Sequence, residues 1–532
     1  MAYIPLRNIG AGGLVPDKNP YDVELTQFPS GNNVSFENGA IGKTLGHTDV
    51  GITIPNAPVT VAGFLKTGSN NLFIGSRNNI YRFNGSSVTT VGTGYSNTSM
   101  WQTEQIGSGI IFNNSSDVPQ YINTTTLSSN GNFSNLANWP STLSTKNVKP
   151  YKSFLVMAGY TDTSGGGSDY NTRVRWSDEF DPSSVPTSYD VTSTTNLAGF
   201  NELGGENGNL LDQLTLGNTQ IIYAERGVYA MDFIGAPLVF SFREIFSDDG
   251  IISRGACASW EGKHLVVGQN DIYVHDGNVK KSLSSLKVKD EFYKGLIDAE
   301  SVFCKSVASR SEVWICYAVQ GAVKDATDGK YSPNRCLVYN WDNDAFTFVD
   351  LPNTRSLSHG DAMSGGGIEG TWDDPVIATL PYSSSTKWWS NSSLSVVAED
   401  IFLYSVDHTN SKLYIMNNSR GFSGSSVNCF LEATKIDLDT VLNTANNNIK
   451  QVMGIMPQIR GEGSVTILVG YSNTPQDPVS WYSTNVFNID QDHKIDVRTS
   501  GRYLALRFES NENANFWNIT GLDVDVREVS GR

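Results

Sequence analysis

The stretch IIYAERGVYAMD at 221–232 decides the fold, because it joins two short apolar strands through a polar turn and centres the second strand on Tyr229. The same pattern occurs seven times along the chain. The second-strand aromatics are Tyr81, Tyr121, Trp176, Tyr229, Tyr273, Tyr339 and Tyr414. They are separated by roughly 40 to 75 residues, near the period of a β-propeller blade. The spacing predicts an all-β chain with a β-propeller-like domain.

The repeated strand pairs place this propeller-like domain at 58–425. Polar insertions interrupt it, and we expect them on the faces or rim of the propeller. The insertions are 161–172, 182–208, 321–334 and 353–395. A helical spacing of apolar residues at 287–303, broken by Gly295, predicts a short helix between strands.

The two flanking segments differ from the repeats. Residues 1–57 contain several prolines and predict an extended arm, with a hairpin around Asn38-Gly39. From 426 to 532, alternating strands with short turns predict a separate C-terminal β-sandwich or barrel domain. The arm needs other strands to complete it, and either the C-terminal domain or a neighbouring subunit could supply them.

Charge and cysteine content restrict the function. The 532 residues carry a formal net charge of −16, so nonspecific binding of phosphate through clustered Lys and Arg is not expected. The five cysteines lack CxxC spacing and are odd in number, which indicates reduced, mostly buried thiols. The start has no secretory signal pattern and the chain has no membrane-length apolar run, so we expect synthesis in a cytosol and no membrane insertion.

Motifs that could carry chemistry are better explained as turns. The segment 38–44 ends in Gly-Lys-Thr, as a phosphate-binding loop does. The first glycine of that motif would stand just before the segment, where this chain has Glu37, so the segment predicts a hairpin instead. The glycines of 365–370 fit GxGxxG outside any βαβ unit. The isolated histidines are His47, His264, His275, His359, His408 and His493, and the adjacent acidic pairs are Asp248-Asp249, Asp373-Asp374 and Glu399-Asp400. None has metal-ligand or catalytic spacing, so we expect no enzyme activity, no cofactor, and no catalytic, cofactor-binding or metal residue.

The adjacent indoles Trp388 and Trp389 stand on a polar insertion, where either a partner or the chain itself could cover them. They keep open an alternative function, a carbohydrate-binding or glycan-cleaving propeller in a receptor-binding tail protein. A secreted propeller lectin is a third hypothesis, which the missing export signal disfavours.

The order of segments resembles the tail nozzle or hub family, also called packaged-DNA stabilisation proteins, of short-tailed bacteriophages. The resembling segments are the start at 4–46, GNTQIIYAERGVYAMDFIG at 217–235, DDGIISRGACASWEGKHLVVGQNDIYVHDGN at 248–278, KVKDEFYKGL at 287–296, SEVWICYAV at 311–319, RCLVYNWDNDAFTFVDL at 335–351, SGRYLALRFES at 500–510 and FWNITGLDVDV at 516–526. The long insertions at 161–208 and 353–395 depart from the family's compact pattern.

The resemblance implies a structural virion protein that is assembled in the host bacterial cytoplasm and located in the virion tail. Family members form a homo-oligomeric ring, usually a hexamer, below the adaptor and portal proteins, near tail fibres or spikes and a needle or plug. Genomic DNA passes through the lumen during ejection without sequence-specific binding. An acidic chain suits such a lumen, since like charge keeps the DNA from adhering to the wall.

Overall fold

The computed structural model describes residues 3–64, 72–107, 109–123, 131–181, 184–361, 401–442, 448–513 and 515–529. Antiparallel strands dominate these ranges, so the predicted all-β class is confirmed. The helical segments are short: helices α1 (Lys289–Gly295) and α2 (Asp439–Leu442), and 3-10 turns at Ser164–Gly166, Gly205–Asn207, Ala299–Ser301 and Ala308–Arg310.

The N-terminal segment contributes five strands to three different sheets. They are β1 (Tyr3–Arg7), β2 (Ser30–Asn32), β3 (Val34–Glu37), β4 (Ala40–Lys43) and β5 (Gly46–Thr53). Asn38 and Gly39 connect β3 to β4 with φ angles of 51° and 75°. Two consecutive positive φ angles define the two-residue hairpin turn that Asn-Gly favours, so the predicted hairpin is confirmed.

Within the described residues, seven four-stranded antiparallel sheets form the blades of the propeller. The first blade contains β6 (Pro58–Gly63), β7 (Leu72–Ser76), β8 (Asn79–Phe83) and β9 (Val88–Thr93), and the second contains β10 (Gln102–Ile106), β11 (Gly109–Asn113), β12 (Gln120–Asn123) and β13 (Ser134–Asn135). The third blade contains β14 (Leu143–Tyr151), β15 (Phe154–Asp162), β16 (Ser168–Trp176) and β17 (Gly199–Glu202). The fourth blade contains β18 (Leu210–Leu216), β19 (Thr219–Ala224), β20 (Val228–Gly235) and β21 (Val239–Phe246).

The remaining blades follow in chain order. The fifth contains β22 (Cys257–Trp260), β23 (Lys263–Val267), β24 (Ile272–His275) and β25 (Lys280–Ser282); the sixth contains β26 (Phe303–Val307), β27 (Glu312–Tyr317), β28 (Arg335–Asn340) and β29 (Ala345–Asp350); and the seventh contains β30 (Thr354–Asp361), β31 (Ile401–Asp407), β32 (Lys412–Ser419) and the N-terminal β5.

Each repeated aromatic lies on the third strand of its blade. The positions are Tyr81 on β8, Tyr121 on β12, Trp176 on β16, Tyr229 on β20, Tyr273 on β24, Tyr339 on β28 and Tyr414 on β32. Six of these side chains are buried and Tyr121 is half-buried. Each ring packs in an apolar cluster of the propeller, and Trp176 of the third blade and Tyr229 of the fourth share one such cluster.

The ring of blades closes through β5, which pairs antiparallel with β32 as the outer strand of the seventh blade. Ile54 N–H donates to the carbonyl of Ser411 at 2.8 Å directly after this pairing. An N-terminal strand thus completes the last blade, and its antiparallel pairing, which has two register shifts, holds the two ends of the propeller sequence together.

The C-terminal strands form two facing sheets, a β-sandwich that the arm completes. The strands are β33 (Cys429–Ile436), β34 (Ile449–Glu462), β35 (Ser464–Ser472), β36 (Ser480–Asn488), β37 (Ile495–Gly501), β38 (Tyr503–Ser510) and β39 (Phe516–Val529). One sheet has the order β3-β4-β39-β34-β37, with β1 also on β39, and the other has the order β2-β33-β38-β35-β36. We expected the arm to be completed by strands of either the C-terminal domain or a neighbouring subunit, and in this structure the C-terminal domain of the same chain provides them.

The arm also joins the sandwich to the sixth blade. Thr347 donates its hydroxyl to the carbonyl of Val34 at 2.6 Å, and the Leu14 N–H donates to the carbonyl of Phe346 at 2.9 Å. At Gly13, φ is +67° and an added Cβ would lie 2.8 Å from the Cβ of Ala345. This close approach needs glycine, and it places the arm directly against the outer strand of the blade.

The segments predicted as insertions differ in their structure. The expectation for 161–172 is wrong, since β15 and β16 extend through most of it as one long hairpin. Residues 182–208, within their described part, include β17 and a 3-10 turn. We call 321–334 the strap; it connects β27 to β28. Residues 365–370, the pairs Asp373-Asp374 and Glu399-Asp400, and Trp388-Trp389 lie outside the described residues.

Candidate functional site

Charged side chains bridge the innermost strands of three consecutive blades. The ammonium of Lys149 on β14 lies 3.5 Å from a carboxylate oxygen of Glu104 on β10 and 3.5 Å from one of Asp212 on β18. Burial alone lowers the pKa of Lys149, but the two carboxylates outweigh it and leave the pKa raised. Lys149 is therefore held charged and joins the second, third and fourth blades.

Asp212 also accepts hydrogen bonds from groups in or beside its two neighbouring blades. Asn147 Nδ2 of the third blade donates to it at 2.7 Å, and the backbone N–H of Gly255 beside the fifth blade donates at 2.8 Å. This carboxylate is almost fully buried, so each of these bonds is needed to offset its desolvation.

Arg254 links the segment before the fifth blade to the second and third blades. It precedes the fifth blade, yet its guanidinium donates to Ser115 Oγ of the second blade at 2.9 Å and to the Lys146 carbonyl of the third at 2.6 Å. Burial lowers the pKa of Arg254, and the nearby carboxylate of Asp212 opposes that effect. The second and fifth blades are three places apart in the ring, so this side chain connects opposite sides of the propeller. We call Glu104, Lys149, Asp212 and Arg254 the axial network.

Three thiols of the fifth and sixth blades are not prepared for nucleophilic chemistry. Burial raises the pKa of Cys257 well above its ordinary value, and so does the Asp212 carboxylate, whose oxygen lies 3.9 Å from the sulfur. Burial likewise raises the pKa of Cys304 and Cys336. A protonated, enclosed thiol is a poor nucleophile, so these cysteines act as small apolar side chains.

Three of the histidines and the Gly-Lys-Thr lysine have structural roles. Tyr223 lies between His264 and His275, with its hydroxyl 2.7 Å from Nδ1 of the first and 2.8 Å from Nε2 of the second. His47 stacks on Phe422 with ring centres 5.0 Å apart. Lys43 is buried and donates to the carbonyl of Glu512 at 2.6 Å, so it stabilises the sandwich. Within the described ranges, no group of three or more His, Cys, Asp or Glu side chains is placed to hold a metal ion.

The strap carries a second charged cluster at the seam where the propeller closes. Asp325 of the strap contacts Arg77 of the first blade and His408 of the seventh. Asp328 lies 3.4 Å from Arg355 on β30. The strap starts in the sixth blade, passes the seventh and reaches the first, so its carboxylates hold the closing seam together.

The sandwich contains a recess of about 490 Å³, which we call the socket. Residues 21–29 of the arm form one wall, and the other walls come from β33, β38 and β39. Its lining is mainly apolar, with Leu6, Leu25, Ile436, Leu506, Phe508 and Leu522 among the contributors. The register of β33 on β38 shifts between Ala433 and Ile436, and such a bulge bends the strand away from its partner at the recess.

The comparisons with known proteins assign no family to this chain. No family model and no curated protein matches the chain. The solved crystal structure of Chaetomium thermophilum Raptor is similar to this chain with a TM-score of 0.41 and 9% identity, covering 70% of this chain and 30% of that one. At this level the similarity carries no argument about activity. No helix in the described part of the chain is long and apolar enough to cross a membrane.

The sequence alone does not predict the axial network. Glu104, Lys149, Asp212 and Arg254 are single charged residues in different repeats, and nothing in their spacing relates them. The only sequence signal is a charged residue inside an otherwise strand-forming segment, which occurs on solvent-facing strands as well.

Proposed function

We propose that this chain is a structural tail protein of a bacteriophage virion, a nozzle or hub whose copies form a ring around the path of DNA. The observation that carries the proposal is the axial network. Lys149 pairs with Glu104 and Asp212, and Arg254 donates to the second and third blades, so these side chains tie four blades into one rigid body. A DNA path would then lie between copies, and this requires a ring.

Two further observations support a structural role. The chain carries −16, which opposes adhesion of a polyanion to a lumen wall. The carboxylates of Asp212, Asp325 and Asp328 are each paired with a cationic side chain, whereas a catalytic site keeps a group poised for substrate. We extend the proposal to the partners that the resemblance implies, namely adaptor and portal proteins, tail fibres or spikes, and a needle or plug.

Electron microscopy of the purified chain tests the proposal. We expect closed rings with a central opening, six copies being the number that the resemblance implies. A homogeneous preparation of single subunits at micromolar concentration would contradict it.

One observation favours a second candidate, carbohydrate binding. Trp481 and Tyr482 on β36 expose 37% and 65% of their surface, and exposed aromatic rings can stack on sugar faces. Glycan-array binding that is lost in Trp481→Ala, by a chain that stays monomeric, would support this candidate over the nozzle.

A further inference from the structure

The hairpin between β20 and β21 exposes an unusually apolar tip, residues 233–238. Phe233, Ile234 and Leu238 expose 46%, 53% and 70% of their surface, and no charged residue occurs from 233 to 242. Exposing several large apolar side chains together costs free energy in water, so such a group usually marks a contact surface.

The tip is fixed in place rather than loose. The ring of Phe233 packs on Phe154 and Phe240 with centroid distances of 5.9 Å and 5.8 Å. Val239, directly after the tip, has a φ of 60°, a conformation that a β-branched residue rarely adopts. Rigid packing below and backbone strain beside the exposed side chains are typical of a prepared binding element.

The same chain carries a recess of matching chemistry. The socket has a volume of about 490 Å³, and partly exposed Leu6, Val23 and Leu25 at the arm side make it reachable from outside. The tip belongs to the fourth blade, whereas the socket belongs to the sandwich attached to the sixth. The fifth blade separates them, which places the tip of one copy away from its own socket.

Each surface has one exposed or turn residue beside it whose charge is opposite to that beside the other. Lys152 lies in the turn between β14 and β15, on the same face of the propeller as the tip, and the adjacent Tyr151 ring contacts Phe240 at 5.8 Å. The socket wall includes the exposed Glu24. Opposite charges beside an apolar contact favour one docking orientation.

We propose that the tip of one copy of this chain inserts into the socket of a second copy. The interface is heterologous, since it joins two different surfaces, and heterologous contacts are those that generate rings. This inference rests on the proposed ring and names the surfaces that form it.

Substitution of Leu238 tests the contact without disturbing the core. In Leu238→Asp we expect the concentration needed for half-assembly to rise about tenfold or more, because a leucine that the interface buries is replaced by a charge. The matched control is Leu286→Asp, which changes a leucine that is 74% exposed outside the tip. Sedimentation velocity measures assembly, and thermal unfolding shows that both variants fold.

Cross-linking tests which surfaces meet. Leu238→Cys and Val23→Cys are purified separately, mixed and oxidised, and we expect a disulfide between them that peptide mass spectrometry identifies; wild-type protein shows the background from native thiols. Rings that persist in Leu238→Asp overturn the tip–socket contact and leave the ring proposal standing. A disulfide confined to pairs of Leu238→Cys also overturns it. A monomeric wild type overturns both proposals.

Discussion

Tyr223, His264 and His275 form a buried network with one consistent proton arrangement. His264 Nε2 lies 3.1 Å from the carbonyl of Thr215, so it carries the proton and Nδ1 accepts from the Tyr223 hydroxyl. His275 Nδ1 accepts from the backbone N–H of Gly277, so its Nε2–H donates to the Tyr223 oxygen. Every polar atom is used, and an additional proton on either ring would have no acceptor.

This network predicts acid sensitivity. Burial lowers the pKa of His264 to about 4, and burial together with the charge of His264 lowers that of His275 to about 3. Unfolded histidine has a pKa near 6.5, so the unfolded chain takes up protons first as pH falls. Stability is complete above about pH 6.5 and decreases below it, by up to about 1.4 kcal/mol per pH unit for each histidine. Denaturant unfolding at a series of pH values measures this, and an unchanged midpoint from pH 7 to 5 would contradict it.

Tyr223→Phe tests the hydrogen bonds of the network separately. Loss of the hydroxyl leaves Nδ1 of His264 and Nε2–H of His275 buried without their partner, so we expect the free energy of unfolding to fall by about 1–3 kcal/mol at neutral pH. His493→Gln, at an exposed histidine, is the control and should leave it unchanged. Equal stability of the two variants would show that the network contributes nothing.

At the scale of elements, the strap is expected to be a major contributor to closure of the propeller. Asp325 is buried between Arg77 and His408, and Arg355 lies 3.8 Å away. In Asp325→Ala, Arg77 loses its nearest carboxylate and His408 loses a hydrogen-bond partner, while Asp328 remains 3.8 Å from Arg77 and 3.4 Å from Arg355. We therefore expect a loss of about 3 kcal/mol in unfolding free energy, the lower end of the cost of breaking a buried pair. Glu300→Gln is the control, because its carboxylate is 72% exposed and pairs with Lys330 of the strap; we expect less than about 1 kcal/mol there. A similar loss in both variants would refute a special role of Asp325.

The sequence predicted those hairpins and strands whose formation depends only on residues within the element itself. The hairpin at Asn38-Gly39 needs only its own turn residues, and the third strand of each blade has its aromatic. By contrast, β5 pairs with β32 more than 350 residues later in the chain. Its sequence GHTDVGIT shows no preference for that partner, since the pairing depends on the closure of the whole ring. The long hairpin over 161–172 was missed because polar residues there stand on strands that extend beyond the core.

At the scale of the whole molecule, the seven repeats correspond to seven blades and the C-terminal strands to a sandwich. The sequence could not show that the arm completes that sandwich and joins it to the sixth blade, because these contacts link residues about 300 to 500 positions apart. Nor could it show that isolated charges meet at the axis. The fold was thus predictable from repeated local features, whereas the candidate site depends on long-range convergence.

The central claim is that copies of this chain assemble into a ring as a tail nozzle or hub. The mass of the full-length protein in solution, measured by sedimentation together with electron microscopy of the same sample, tests it most directly. We predict one closed species whose mass is a multiple of the 58.0 kDa subunit, six copies being expected, with an opening between subunits. A single species of 58.0 kDa that shows no ring at any concentration tested would contradict the account.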